Sequence, residues 1–157
     1  MKKVFYIFVA SILLISFFGC EPSDSAKTFE KKTAESDEYS TFTPPADGKI
    51  TVDQKERYIG VARDLTAAIE KQRDIIQEFN TKYNITDETQ LGDLEKKDKK
   101  AFEEWQKIGY EWTAKEMEIY RKNNLPQAEF EWVASALTDS INTVIQQEVE
   151  KALTPAK

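Results

Sequence analysis

The residues able to do chemistry are few. Cys20 is the only cysteine and no histidine occurs among the 157 residues, so the commonest general base, metal ligand and pH switch are missing from the chain. A lone cysteine permits neither an intramolecular disulfide nor a CxxC redox pair. The carboxylates Glu103, Glu104, Glu111, Glu116 and Glu118 crowd one stretch, as they would on a helix presenting glutamates to paired metals. That arrangement needs Glu-x-x-His, however, and a simpler reading is available. Glu103 and Lys107, Glu111 and Lys115, and Glu118 and Lys122 stand four apart in the favourable order, which describes a solvated face with no metal. No constellation of catalytic residues is found, and the expectation is a non-enzymatic protein without cofactor.

Trp105 and Trp112 lie seven apart with Phe102 and Ile108 between them, the spacing of a bundle seam. Their alternative is a small-ligand or metal-binding interior, recognisable as an enclosed pocket with convergent polar groups. Beside that stripe, Tyr110, Met117 and Tyr120 follow at spacings of seven and three and are expected along one edge, either as a protein partner's contact surface or as a widened core seam.

Three amphipathic helices must position these side chains. The first opens at Thr51 with Gln54 three residues on, a capping box, and repeats apolar residues at Tyr58, Ala62, Leu65, Ile69, Ile76, Phe79 and Tyr83, with Gln72 in the one vacancy, before stopping at Asn84. A second runs from about Asp93 through Leu94, Phe102, Trp105, Ile108, Trp112 and Ile119 to Asn123-Asn124. Pro126 starts the third, with Phe130, Val133, Leu137, Ile141 and Val144 on one face, continued by Ile145, Val149 and Leu153. Each is about 40 to 45 Å long at 1.5 Å per residue, and short connections imply an all-α, antiparallel three-helix bundle over residues 50–154. Turns centred near 87–88 and 124–125 would bring Gly109 level with Thr66, Ala67 and Ser140, where a glycine admits close helix approach. The mixed-sign run from Glu95 to Lys100 reads as an exposed helix start.

Ahead of the bundle, residues 21–49 are rich in Ser, Thr, Lys, Glu and Asp, and their apolar members Phe29, Tyr39 and Phe42 show no period. Such composition buries too little to offset ordering, so residues 20–49 are expected to be a disordered tether with a reach on the order of 30 Å. Lys2 and Lys3 precede an uncharged run from Val4 to Phe18, too short for the roughly 20 residues of a membrane span, so residues 1–19 read as a signal peptide.

The end of that run, Ser16-Phe17-Phe18-Gly19-Cys20, resembles the lipobox of bacterial lipoproteins, matching it at Gly19 and Cys20, with Phe17 where Leu is usual. The resemblance implies that Cys20 carries diacylglycerol and, with palmitate or a similar acyl group, begins the mature chain. Two or three acyl chains anchor stably where one does not, so the implied location is the cell membrane or outer membrane, with the domain on the periplasmic or extracellular side. Glu21, in place of Asp, leans toward the outer membrane. The starts of the first and third helices, Thr51-x-x-Gln54 with Tyr58-Ile59 and Pro126-x-x-x-Phe130-x-Trp132-Val133, resemble loosely those of small helical bacterial lipoproteins and imply no activity. Loss of Lys2 and Lys3 takes the formal charge from −6 to −8, a field that disfavours nucleic acid. The expected partners are therefore the membrane, through lipid on Cys20, and a protein.

Overall fold

The computed structural model describes residues 42–154, and the expected signal peptide, Cys20 and most of the expected tether lie outside them. Among the described residues all regular structure is helical: α1 (Val52–Tyr83), α2 (Thr89–Gly92), α3 (Leu94–Lys97), α4 (Lys99–Lys122), α5 (Gln127–Ala136) and α6 (Thr143–Leu153), with a single 3-10 turn at Ser140–Asn142. The all-α expectation holds, and the differences lie in where helices begin and break.

Helix α1 starts as its sequence dictates. Thr51 Oγ1 accepts from the Gln54 amide at 3.2 Å while the Gln54 side-chain oxygen accepts from the Thr51 amide at 3.0 Å, satisfying two otherwise orphan donors. Asn84 ends it in the left-handed conformation at φ 52°. The expected stripe is buried or half-buried, but Ile59 and Val61 are buried too. The first half of α1 is covered by α4 on one side and by α5 and α6 on others, so it buries a wider arc than a single stripe.

The helix expected from Asp93 instead begins at Lys99. Asp98 adopts an extended backbone at φ −150° and its carboxylate accepts from the Ala101 amide at 3.0 Å, a true N-cap. The preceding residues form two single turns, and Leu94 among them closes a core with Phe79, Ala101 and Ile108. Because this segment fills the space between α1 and α4, the register differs from that of a tight turn at 87–88. Asp64 meets Lys122 and Asn123, and Lys82 meets Glu104. Gly109 therefore does not sit at a crowded layer: it is exposed, and a methyl group there would meet nothing within 4 Å.

The close approach is at Gly60 instead, where a methyl would collide with the side-chain oxygen of Asn123. That side chain cannot swing away freely, since its amide donates to Asp64 and to the Ile119 carbonyl, each at 2.9 Å. Gly109→Ala should therefore raise the melting temperature, by up to about 1 kcal/mol of helix propensity. Gly60→Ala should lower it, because the same gain is outweighed by the loss of Asn123's two bonds at about 0.5–1.5 kcal/mol each. Thermal denaturation of the two variants side by side checks the contrast. A rise in both would show that Asn123 yields at no cost.

The third expected helix is two helices. Asp139 is extended, with φ −79° and ψ 138°, and the chain reverses through Thr138–Asn142. Polar side chains compete with the helical backbone here: Thr138 Oγ1 donates to the Ser135 carbonyl at 2.7 Å and Thr143 Oγ1 to that of Ser140 at 2.7 Å. Asn142, 2 % exposed, holds the reversal against the start of α1. Its amide donates to the carbonyls of Ala136 and Gly48, and its oxygen accepts from the Ile50 amide, all at 3.0 Å. Consequently Ser140 lies near residues 48–50 and not level with Thr66. Ile141 and Val144, expected on the core face, are exposed, whereas Phe130, Val133, Leu137 and Val149 are buried as expected.

The apolar interior divides in two. Tyr58, Leu65, Ile119, Leu125, Phe130, Val133, Leu137 and Val149 belong to a basal core. Phe79, Leu94, Ala101 and Ile108 form a distal one, with Phe102 and Trp105 packed against it. Along α1, Gln72 falls between Ala68 of the first and Ile76 of the second, which accounts for the break in the apolar repeat. The expected tether also ends sooner than Lys49: the Phe42 ring lies 5.3 Å from that of Trp132, and Gly48 closes a turn onto the Pro45 carbonyl at 3.0 Å. Residues 42–49 are thus held against the domain.

Candidate functional site

The three residues expected along one edge are separated by depth. Tyr120 is 3 % exposed and packs its ring 5.7 Å from Phe130, which in turn stacks 4.8 Å from Tyr58. Burial raises the Tyr58 phenol to about 12 and pushes that of Tyr120 up as well, with Glu116 and Glu131 adding to the latter. Met117 is half-buried against the same core, and only Tyr110, at 64 %, reaches well into solvent. The edge proposed as a contact surface is therefore not one surface, because Phe130 of α5 packs on Tyr120 and takes it into the core. In the sequence, the position of Tyr120 one residue after the core residue Ile119 was the available signal.

Trp105 and Trp112 occupy different parts of the interior. Trp105 packs 5.2 Å from the Phe79 ring in the distal core. Trp112, 7 % exposed, belongs to neither core cluster and lies between them along α4. Two open hollows lie on the outer side of α1, one bounded by Arg73, Ile76, Asn80 and Ile85 and the other by Asp74, Glu78 and Lys82, and neither is lined by a tryptophan.

Among the acidic residues of α4, most pairs keep the helical spacing but not the expected partners. Lys99 meets Glu103, Lys107 meets Glu111 and Lys115 meets Glu118, the lysine preceding the glutamate where the reverse was expected, and Lys122, expected at Glu118, meets Asp64 at 2.9 Å. Glu104 accepts from Lys82 and from the Tyr83 hydroxyl at 2.8 Å, and these bonds hold its carboxyl below the ordinary value. No group of three or more acidic or cysteine side chains that could hold a metal ion occurs among the described residues.

Glu116 is the exception on this helix. Half-buried, with no ion pair to a cation among the described residues, its carboxyl is pushed up by desolvation. The indole N–H of Trp112 pulls the other way, but it does so from outside good hydrogen-bonding geometry, so the fully buried nitrogen is left without a partner. An acid raised in the folded state binds more protons than the unfolded chain. Its destabilising effect is absent below the ordinary value of 4.5 and grows as pH rises through the folded value. Glu116→Gln should therefore match the parent's stability at pH 3.5 and modestly exceed it at pH 8. Urea midpoints at the two pH values read this directly, and a parent at least as stable at pH 8 would contradict it.

Sequence reasoning did not anticipate the polar group at the base. Glu129, buried at 6 %, accepts from both terminal nitrogens of Arg57 at 3.0 Å and from the Gln54 amide at 2.9 Å. Arg57 also donates to Asp53 at 2.9 Å and to the Asn124 carbonyl at 2.7 Å. The bonds of Glu129 to Arg57 and Gln54, and of Arg57 to Asn124, join α1, α5 and the connection before α5. The cluster's geometry is that of a fastening and not of an open site.

No helix among the described residues is long and apolar enough to cross a membrane. Compared with protein-family models, with curated proteins and with solved structures, the chain matches nothing in any of the three.

Proposed function

We propose that this chain is a lipid-anchored envelope lipoprotein whose helical domain is a non-enzymatic protein-interaction module. The observation that carries the anchor is the order Lys2-Lys3, an uncharged run from Val4 to Phe18, then Gly19 and the sole cysteine Cys20, followed at once by polar sequence. Thioether-linked diacylglycerol with a further acyl group on Cys20 would hold the protein at a cell or outer membrane, at about 0.8 kcal/mol per buried methylene. The interaction role is supported by how the domain uses its polar groups. The buried ones, Glu129, Gln54 and Asn142, are spent on internal bonds, and the acidic ones on α4 other than Glu116 form exposed ion pairs. In the same reading the helices form an antiparallel bundle of three layers, α1, α4 continued by α5, and α6. It is favoured by the pairings of Asp64 with Lys122, Lys82 with Glu104, and Lys55 with Glu148.

The test is fractionation of cells producing Cys20→Ala. The variant should move from the membrane to the soluble secreted fraction, its domain intact. Retention on membranes after a high-salt wash would end the lipoprotein reading. Crosslinking in intact cells, with identification of the protein recovered with the parent, tests the interaction role.

A further inference from the structure

Three of the large aliphatic side chains in the domain are exposed together at one end. Val52 is 66 % exposed, Ile141 54 % and Val144 68 %. Val52 opens α1 two residues after Ile50, whose amide donates to Asn142 at 3.0 Å; Ile141 precedes that asparagine and Val144 follows it by two. Ile141 and Val144, three apart across a 3-10 turn and the first turn of α6, share a side. Single exposed aliphatics need no explanation, but a group at one end marks a contact surface.

The chain arriving from Cys20 fixes which surface is near. It meets the domain at Phe42 against Trp132, about one helical turn before Ala136, and runs on to this same end through Gly48 and Ile50, both bonded to Asn142. Twenty-one residues separate Cys20 from Phe42, a contour of at most about 75 Å. Resting on the lipid-anchor reading above, the geometry points to the Val52, Ile141 and Val144 end as a docking face for the lipid surface to which Cys20 is attached. Confined within that distance of the surface, the domain meets it repeatedly, so a weak apolar contact is enough. The headgroups it fits are uncharged overall. Asp47, Asp53 and Asp139 are exposed around the patch and Lys49 is the exposed cation beside them, a balance that repels an anionic leaflet. Docked this way, the domain stands on its base and presents the distal end, from Thr86 to Lys97, away from the membrane.

The experiment uses the full chain with acylated Cys20, reconstituted in phosphatidylcholine vesicles. Because Cys20 is the only cysteine and lipid consumes its thiol, Val144→Cys can be labelled alone with a polarity-sensitive dye, and Glu95→Cys serves as the distal control. The dye at 144 should shift to the blue on vesicles and be severalfold less quenched by aqueous iodide than the dye at 95. Adding Val52→Ser and Ile141→Ser should abolish the shift while the protein still floats with the vesicles. Equal quenching at 144 and 95 in vesicle-bound protein overturns the docking face and leaves the anchor standing. Labelling at Cys20 with loss of flotation sinks the anchor, and the docking face with it. A blue shift of the same size in Cys20→Ser without vesicles also overturns the proposal, since the chain itself or a second copy would then cover the patch.

Discussion

Arg57→Ala is expected to cost about 3–5 kcal/mol, the loss that follows when one partner of a buried ion pair is removed. Glu129's side chain is only 8 % exposed, against 22 % for Arg57, so truncating the arginine strands the more deeply buried charge. Its sole remaining side-chain partner would be the Gln54 amide. The same substitution frees the Asn124 carbonyl and Asp53, loosening the connection into α5. A domain of this size has about 5–15 kcal/mol in total, so the variant should approach its unfolding threshold at ordinary temperature. Arg57→Met combined with Glu129→Leu should recover most of the loss, because replacing both charges by apolar groups removes the desolvation penalty along with the attraction. Urea denaturation of the three proteins, with unchanged slopes, provides the comparison. A loss below about 1 kcal/mol in Arg57→Ala would place the pair among the exposed ones that contribute little.

Tyr120→Ser should destabilise the domain by about 3–5 kcal/mol, the range for truncating a buried aromatic. The side chain leaves a cavity beside Phe130 and Tyr58 and forfeits the contacts that hold α5 against α4. Tyr110→Ser, one face away on the same helix, should change stability by no more than about 0.5 kcal/mol, as surface substitutions do. Binding to the recovered partner should respond in the opposite sense if Tyr110 belongs to the contact surface: Tyr110→Ser weakens binding at full stability. A small effect from Tyr120→Ser would return that residue to the partner surface from which its burial removes it.

Both experiments turn on residues whose type was plain and whose surroundings were not. The Thr51–Gln54 capping box and the left-handed Asn84 follow from local chemistry, since each bond joins residues at most four apart. The same holds for the apolar repeat of α1, because a helix buries whatever its period presents. Asp98 and the Thr138–Asn142 reversal were also local, but weaker. A polar residue can cap a helix or sit quietly on its outside, and the outcome depends on what the reversed chain finds to pack against. For α5 and α6 that was Gly48, Ile50 and Ala136, all gathered by Asn142 from up to 94 residues away.

The sequence by itself determined the helical class, the start and stop of α1, and the series of residues ahead of Cys20 from which an anchor is read. All of these rest on composition or on neighbours within a turn or two. Only the tertiary structure decided that Tyr120 is core and Tyr110 is not, that Gly60 and not Gly109 lies at the close approach, and that Ile141 and Val144 face outward. Each of those depends on register between helices, and register is set by the volume of the segment filling Thr86–Lys97 and by the break at Asp139. Neither quantity has a period that can be read along the chain. The Arg57–Glu129 pair, 72 residues apart, is of the same kind: two charges whose meaning comes only from the desolvation that folding imposes on them together.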